Sequence, residues 1–208
     1  VNDPSIINHD QPIIQTILRY TAEGSDKRND LQIEQISFAG RPGGPALFSI
    51  AAVLEYQYGR GESSLRSADP FDAPIVDNRF CEDNRDTRRL VACMKDTLMF
   101  TRKGALKEMI KSITFPDPAR GIDDESLSKL CRRFSASGYH PCGTVKMGDV
   151  KDPMSVVDQY GRAHRFDHLV VADASIMPFV PRANTNLTCI MIGEMIGEWL
   201  RTQPEHYR

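Results

Sequence analysis

The apolar periodicity of this chain changes near residue 80, and that change sets the order in which strands and helices are expected. Between 31 and 38 apolar and polar residues alternate, with an apolar set of Leu31, Ile33 and, after a slip, Ile36 and Phe38. A period of two is typical of a half-buried strand. The strongly apolar and aromatic range 46–58 favours a long central strand. A sheet is therefore expected in the first part of the chain.

Helical spacing dominates after residue 80. The range 83–112 repeats apolar side chains at helical intervals, Asp83 or Asn84 can cap its start, and Gly104 is expected to interrupt it. Two more helices are expected, over 123–138 and from about 186 to 201.

Several shorter ranges carry weaker patterns. Residues 12–20 are compatible with a short helix, and 63–67 with a short strand. Two strand-like runs are expected at 155–163 and 168–176. The range 40–45 holds two prolines, which lack the backbone N–H groups that a phosphate cradle uses, so it is interpreted as a plain loop.

Charge and hydropathy exclude some classes of partner. The net charge is -2, from 26 Lys and Arg against 28 Asp and Glu, and nucleic-acid binding normally requires a basic face. No apolar run approaches the ~20 residues that span a bilayer. We therefore expect neither a nucleic-acid partner nor a membrane partner.

The cysteines and the N-terminus bear on compartment and completeness. The five cysteines are an odd number without a Cys-x-x-Cys pair, which favours reduced thiols. The chain begins without Met and without a signal-peptide pattern. These features favour a cytoplasmic location, and they predict a fragment or a processed chain.

Residues 138–148, GYHPCGTVKMG, are the densest stretch, and they leave four interpretations of His140. A metal site needs three or four ligands, and the other histidines and cysteines show no ligand spacing around it. A thiol nucleophile at Cys142 is disfavoured because side chains two apart on an extended segment run parallel. Taken alone, the residues favour a structural histidine, with a catalytic acid or base left open.

Four sequence blocks that follow one another in a fixed order provide further evidence on the role of His140. They are H-P-C-G-T-x-x-M-G (140–148), V-V-D-x-x-G-R (156–162), L-V-V-A-D-A-S-I-M-P (169–178) and N-T-N-L-T (184–188) before an apolar helix. Together they resemble the C-terminal region of the glucose-methanol-choline (GMC) flavoprotein oxidoreductases. The upstream range 60–80 is also similar to the substrate-domain segment of that family.

The resemblance implies an α+β fold. A mixed or antiparallel substrate-domain sheet would carry helices on one side, and C-terminal strands and a helix would complete a Rossmann-like FAD-binding domain. Residues 1–137 would belong to the substrate-binding domain, and 138–208 would form the catalytic, flavin-contacting segment. No G-x-G-x-x-G occurs in the sequence. The expected partner is therefore an N-terminal FAD-binding half, either a separate chain or a piece that has been cleaved off.

The resemblance also implies a chemistry, in which FAD oxidises a primary or secondary alcohol by accepting a hydride at flavin N5. His140 matches the catalytic histidine of the family, and an imidazole with an unperturbed pKa of ~6.5 suits a general base. Asn184 matches the second active-site position, where an amide orients the substrate oxygen. The expected cofactor contacts are Asp173, Ala174, Asn184, Thr185 and Asn186.

Other outcomes remain open. Asp173 could be only a turn carboxylate, and Arg182 is expected at the rim of the site. Cys142 and Met147 are expected to serve packing, and His164 and His168 to lie on the surface. A hydroxynitrile lyase of the same family, or a non-catalytic subunit of a two-chain flavoenzyme, are the alternative functions, and the small-molecule alcohol itself is not identified.

Overall fold

The computed structural model describes residues 1–3, 12–37 and 47–207. The chain divides into two compact units, the first formed by Val1–Arg60 and Arg79–Ala136, and the second by Gly61–Asn78 and Ser137–Arg208. The range 61–78 thus belongs to the second compact unit. The functional division into 1–137 and 138–208 stays a prediction.

The first unit contains a three-stranded antiparallel sheet of β1 (Ile14–Tyr20), β2 (Leu31–Ile36) and β3 (Ser49–Leu54), in that order. The short helix expected over 12–20 is wrong, because this range pairs with β2 as β1. The strand expected over 46–58 does form, as β3, but it is neither long nor central in the described sheet. Among the described strands β3 has six residues and lies at the edge, and β2 is central. Phe38 and the loop 40–45 lie outside the described residues.

The helices of the first unit follow their capping residues. Helix α1 (Asn84–Phe100) is preceded by its N-cap Asp83, whose side chain accepts a hydrogen bond from the Arg85 N–H at 2.8 Å. The interruption expected at Gly104 is confirmed, since α2 (Gly104–Met109) is a separate helix and Gly104 has φ +54°. Helix α3 (Asp124–Phe134) has Asp123 as its cap.

A buried ion-pair network joins α1 to the loop before β2. Arg89 contacts Asp30 at 2.6 Å and Asp86 at 2.7 Å. Asp30 also accepts hydrogen bonds from the Ala22 N–H at 2.8 Å and the Ser25 hydroxyl at 2.6 Å. Burial alone would raise the pKa of Asp30, but these hydrogen bonds and Arg89 hold it below its ordinary value.

The second unit is built around the C-terminal helix α4 (Asn186–Thr202), with a small hairpin of β4 (Glu62–Ser64) and β5 (Ile75–Asp77). Its core is an apolar cluster formed by Val157, Ile176, Met177, Ile192 and Ile196. The strands expected at 155–163 and 168–176 are not formed. These ranges make isolated bridges, and Ala174–Ile176 is a 3-10 turn.

The mixture of small antiparallel sheets and helices confirms the expected α+β class.

Candidate active site

The segment that carries His140 is held against the 3-10 turn Ala174–Ile176 by three backbone hydrogen bonds. The N–H groups of Gly143, Val145 and Met147 donate to the carbonyl groups of successive residues of that turn, at 3.1, 3.0 and 2.7 Å. Alternate residues are bonded, as in a strand edge. The first and third sequence blocks of the resemblance are therefore one packed unit, and His140 is at its N-terminal end.

His140 contacts two consecutive residues at the start of α4. Its Nε2 lies 2.9 Å from the side-chain amide of Asn184. Its Nδ1 lies 3.0 Å from the Thr185 hydroxyl and 3.3 Å from the Thr185 backbone N. Both imidazole nitrogens therefore have polar partners, and these contacts join residues that are 44 positions apart in the sequence.

The start of α4 also supplies unbonded backbone groups. The first intrahelical hydrogen bond runs from the Cys189 N–H to the Thr185 carbonyl at 2.9 Å. The N–H groups of Asn186, Leu187 and Thr188 precede it and have no partner within the helix. Such groups carry the positive end of the helix dipole, which favours an anion nearby.

A cavity of about 400 Å³ is lined by Pro141, the residue that follows His140 in the sequence. Its lining consists of Pro141, Cys142, Thr144, Asp173, Ala174, Ser175 and Cys189. Since Cys189 lies in the first turn of α4, the start of this helix borders the cavity. The cavity is within the range of about 300–1,000 Å³ that small-molecule sites occupy.

Asp173 caps a turn and also lines the cavity. Its carboxylate accepts the Ser175 N–H at 2.8 Å and the Ser175 hydroxyl, and so caps the 3-10 turn. The turn-carboxylate interpretation is therefore met, while contact with a cofactor stays a prediction. Ala174 lines the same cavity, and its carbonyl accepts the Gly143 N–H.

The structure thus brings the predicted residues together in two adjoining groups. His140, Asn184 and Thr185 form one hydrogen-bonded group, and Asp173 and Ala174 line the cavity. Asn186 is exposed in the first turn of α4. The roles assigned to all six residues stay predictions.

Four further lining residues were missed from sequence, namely Pro141, Thr144, Ser175 and Cys189. Cys142 packs against the apolar core, as expected, and lines the cavity as well. The signal available in the sequence was position, since all five residues lie within or directly after the matched blocks.

The expectation for His164 is wrong. Its Nε2 lies 3.0 Å from the Ser155 hydroxyl and 3.2 Å from the Gly148 carbonyl, and the side chain is half-buried. His168 is exposed, as expected. Arg182 is half-buried and has φ +56°, and a rim position for it stays a prediction.

The described ranges show neither a cluster of metal ligands nor a membrane-spanning helix. Within them no three His, Cys, Asp or Glu side chains are grouped as a metal site would require. None of the helices in these ranges is both long enough and apolar enough for a membrane span. All five cysteines are thiols rather than disulfides. The cytoplasmic location stays a prediction.

Comparison with known proteins agrees with the geometry. The profile of the family described as GMC oxidoreductase matches residues 57–193. Oxygen-dependent choline dehydrogenase from Cronobacter sakazakii is 36% identical over 145 residues, which is 68% of this chain and 25% of that protein. The chain therefore spans about a quarter of the curated relatives it matches.

Solved structures show the same fold. Pyridoxine 4-oxidase from Mesorbium loti matches with a TM-score of 0.75 and 21% identity, over 89% of this chain and 37% of that chain. A formate oxidase from Aspergillus oryzae, studied for modification of its FAD, matches with a TM-score of 0.73 and 19% identity, over 87% and 33%. The predicted family is thereby confirmed: this chain belongs to the GMC oxidoreductases.

Proposed function

We propose that this chain is the C-terminal part of an FAD-dependent oxidoreductase that oxidises a primary or secondary alcohol. The observation that carries the proposal is the imidazole of His140, which has polar partners on both nitrogens and directly precedes Pro141, a residue that lines the cavity. An imidazole oriented by polar partners on both nitrogens fits a group that exchanges a proton with a bound molecule better than it fits a packing residue.

His140 would take the hydroxyl proton of the alcohol at Nε2. A general base must lie about 2.6–3.2 Å from the atom that it deprotonates. The Asn184 amide already occupies a position 2.9 Å from Nε2, so a polar atom fits there. Asn184 is exposed and can turn toward a substrate oxygen, which an amide can orient but not deprotonate near neutral pH.

The residues present fit part of an FAD. The cavity provides the volume, and the unbonded N–H groups at the start of α4 provide donors for an electron-rich edge of a ring system. Asp173, Ala174 and Asn186 would contact the cofactor. When bound, FAD supplies the acceptor for the carbon-bound hydride of the alcohol.

The remaining cofactor contacts would come from an N-terminal part of the protein. The chain covers only a quarter of its curated relatives. One side of α4 is apolar and exposed, with exposed fractions of 78% at Leu187, 54% at Ile190, 50% at Met191 and 42% at Met195. Apolar stripes at this spacing are normally covered. We propose that the N-terminal FAD-binding part covers this side.

Choline is the first alcohol to test, because the matched relatives are choline dehydrogenases. The ring of Tyr139, directly before His140, is 92% exposed. Aromatic faces attract quaternary ammonium groups. An exposed aromatic residue next to the proposed base is therefore compatible with an alcohol of this kind.

The test uses the full-length protein that contains this chain. The protein is mixed anaerobically with choline and other alcohols, and reduction of the flavin is measured as the loss of its visible absorption. We expect His140→Asn to slow this reduction by about 10²–10⁴-fold, the usual contribution of a general base. His168→Asn is the matched control, since His168 is exposed and its φ of +59° suits asparagine.

Three outcomes would contradict the proposal. An unchanged rate in His140→Asn would remove His140 from the chemistry. Release of cyanide from a cyanohydrin without flavin reduction would support the hydroxynitrile lyase. Flavin that no alcohol reduces, together with no lyase activity, would support the non-catalytic subunit.

A further inference from the structure

Thr185 directs two different groups at one nitrogen of His140. The backbone N–H lies 3.3 Å from Nδ1, and the side-chain hydroxyl lies 3.0 Å from the same atom. Thr185 is only 6% exposed, and it immediately precedes the first residue of α4. The two groups differ in one respect that matters for catalysis, since an N–H can only donate, whereas a hydroxyl can donate or accept.

The backbone N–H settles where the resting proton lies. Neutral imidazole has one N–H and one bare nitrogen. Because the Thr185 N–H donates to Nδ1, the proton of neutral His140 belongs on Nε2. The atom that lies 2.9 Å from Nε2 is the Asn184 side-chain nitrogen. Because the nitrogen and oxygen of a carboxamide have the same shape, all three contacts are satisfied when this group is reversed and its oxygen accepts from the Nε2 N–H.

That resting form cannot take a proton at Nε2. To accept the hydroxyl proton of an alcohol there, His140 must first carry its own proton on Nδ1. An N–H on Nδ1 would then face the Thr185 backbone N–H, donor against donor. Of the two Thr185 groups, only the hydroxyl can turn round and accept from Nδ1 at 3.0 Å.

We propose that Thr185 is a positioning residue whose hydroxyl accepts the Nδ1 proton of His140 and so makes the proton-accepting form of the imidazole available. This inference rests on the proposed function of His140. The Asn184 carboxamide leaves Nε2 when the substrate hydroxyl arrives. The imidazole then exchanges tautomer through solvent water, which takes the proton from Nε2 and supplies one to Nδ1, and the Thr185 hydroxyl reverses its direction to accept from Nδ1. The alcohol proton then transfers to Nε2, which gives an imidazolium with both N–H groups bonded.

Removal of the hydroxyl should lock the resting form. Thr185→Val keeps the shape and the backbone N–H but leaves no acceptor for an Nδ1 proton, whereas Thr185→Ser keeps the hydroxyl. We expect Val to lower kcat for alcohol oxidation by about 10–100-fold or more, the range seen when partners that orient a histidine are lost. The KM should stay within about threefold, because Thr185 acts on proton transfer rather than on binding. Ser should restore most of the rate.

The direct measurement is ¹⁵N NMR of the full-length protein with ¹⁵N-labelled histidine, with the His140 signals assigned by their loss in His140→Asn. For the neutral imidazole, we expect a protonated Nε2 and a hydrogen-bonded bare Nδ1. FAD content and Tm, measured for each variant, separate a folding defect from a chemical one. If Val fails to fold, Thr185→Ala takes its place.

A resting Nδ1–H form in the parent protein, or a Val variant with the parental kcat, would overturn the inference. Failure of the proposed function leaves a different pattern. In that case His140→Asn would react as fast as the parent protein or no alcohol would react at all, while the ¹⁵N signals would still report the Nε2–H form.

Discussion

Replacement of Gly161 by alanine is the sharpest stability test of the second unit. Gly161 is buried with φ +77°, and its carbonyl accepts the Val171 N–H at 2.8 Å. A Cβ at this position would lie 2.4 Å from the Val171 carbonyl oxygen and 2.9 Å from Ile196 Cδ1. The Ile196 methyl can rotate away, but the Val171 oxygen is backbone and can move only if the bridge between the two segments opens.

The size of the effect follows from two contributions. A residue with a Cβ pays about 1–2 kcal/mol to adopt the left-handed conformation. Overpacking that forces a backbone shift costs about 1–3 kcal/mol more. We therefore expect Gly161→Ala to lower the free energy of unfolding of the second unit by about 2–5 kcal/mol.

Two other glycines separate the contributions. Gly24 has φ +71° and nothing within 4 Å of a built Cβ, so Gly24→Ala should cost only the conformational part, about 1–2 kcal/mol. Gly193 lies inside α4 with nothing within 4 Å, so Gly193→Ala should stabilise the helix by up to about 1 kcal/mol.

Tryptophan fluorescence during urea unfolding reports on the second unit, because Trp199 is the single tryptophan of the chain and packs against the core of this unit. Circular dichroism of the same samples reports Gly24→Ala in the first unit. If Gly161→Ala lost less than about 1 kcal/mol, the left-handed backbone and the Val171 contact would both be wrong. An equal loss in Gly24→Ala and Gly161→Ala would assign the whole effect to backbone conformation.

Two further predictions concern the first unit. Arg89→Met should destabilise it by about 3–5 kcal/mol, because the buried carboxylates of Asp30 and Asp86 lose their counter-ion, and urea unfolding at pH 7 would show this. Because the pKa of Asp30 is lowered in the folded protein, its ionised carboxylate stabilises the fold above the ordinary pKa of 3.8, and this stabilisation is lost as the pH falls further. The free energies of unfolding of the parent protein and of Arg89→Met should therefore approach each other in acid. Burial raises the pKa of Cys93 and of Cys131 to about 11, so in the native protein at pH 9 both thiols should react with iodoacetamide at least about tenfold more slowly than in urea, as mass spectrometry can measure. Equal rates in the two conditions would contradict their burial.

Local sequence signals predicted the helices well and the first strand poorly, for a physical reason. Helices α1 and α3 begin at aspartate caps, which leave a clear pattern in sequence. In β1 the residues Ile14, Ile17 and Leu18 have helical spacing, and all three are exposed in the described structure. A strand that is exposed on both faces needs no alternation of apolar and polar residues. Only the pairing of β1 with β2 therefore identifies β1 as a strand.

The candidate site divides in the same way. His140 and Asn184 were found through the order of the sequence blocks, since neither their spacing nor their composition brings residues 44 positions apart together. The order of the sequence blocks could not identify the hydrogen-bond partners of His140 Nδ1. A backbone N–H carries no residue identity, and the Thr185 hydroxyl is significant only because the start of α4 lies against the imidazole.

In the proposed mechanism, the position of α4 controls which nitrogen of His140 carries the proton. Asn184 and Thr185 are consecutive residues at the start of this helix, and they hold opposite nitrogens of one ring. A shift of the helix start by about 0.5 Å would lengthen the 3.3 Å contact beyond hydrogen-bonding range and remove the preference for a proton on Nε2. The other apolar side of α4 is where we place the N-terminal FAD-binding part. Docking of that part would then fix the position of α4. Through Thr185 it would also fix which nitrogen of His140 carries the proton, so that α4 would position both the cofactor and the base.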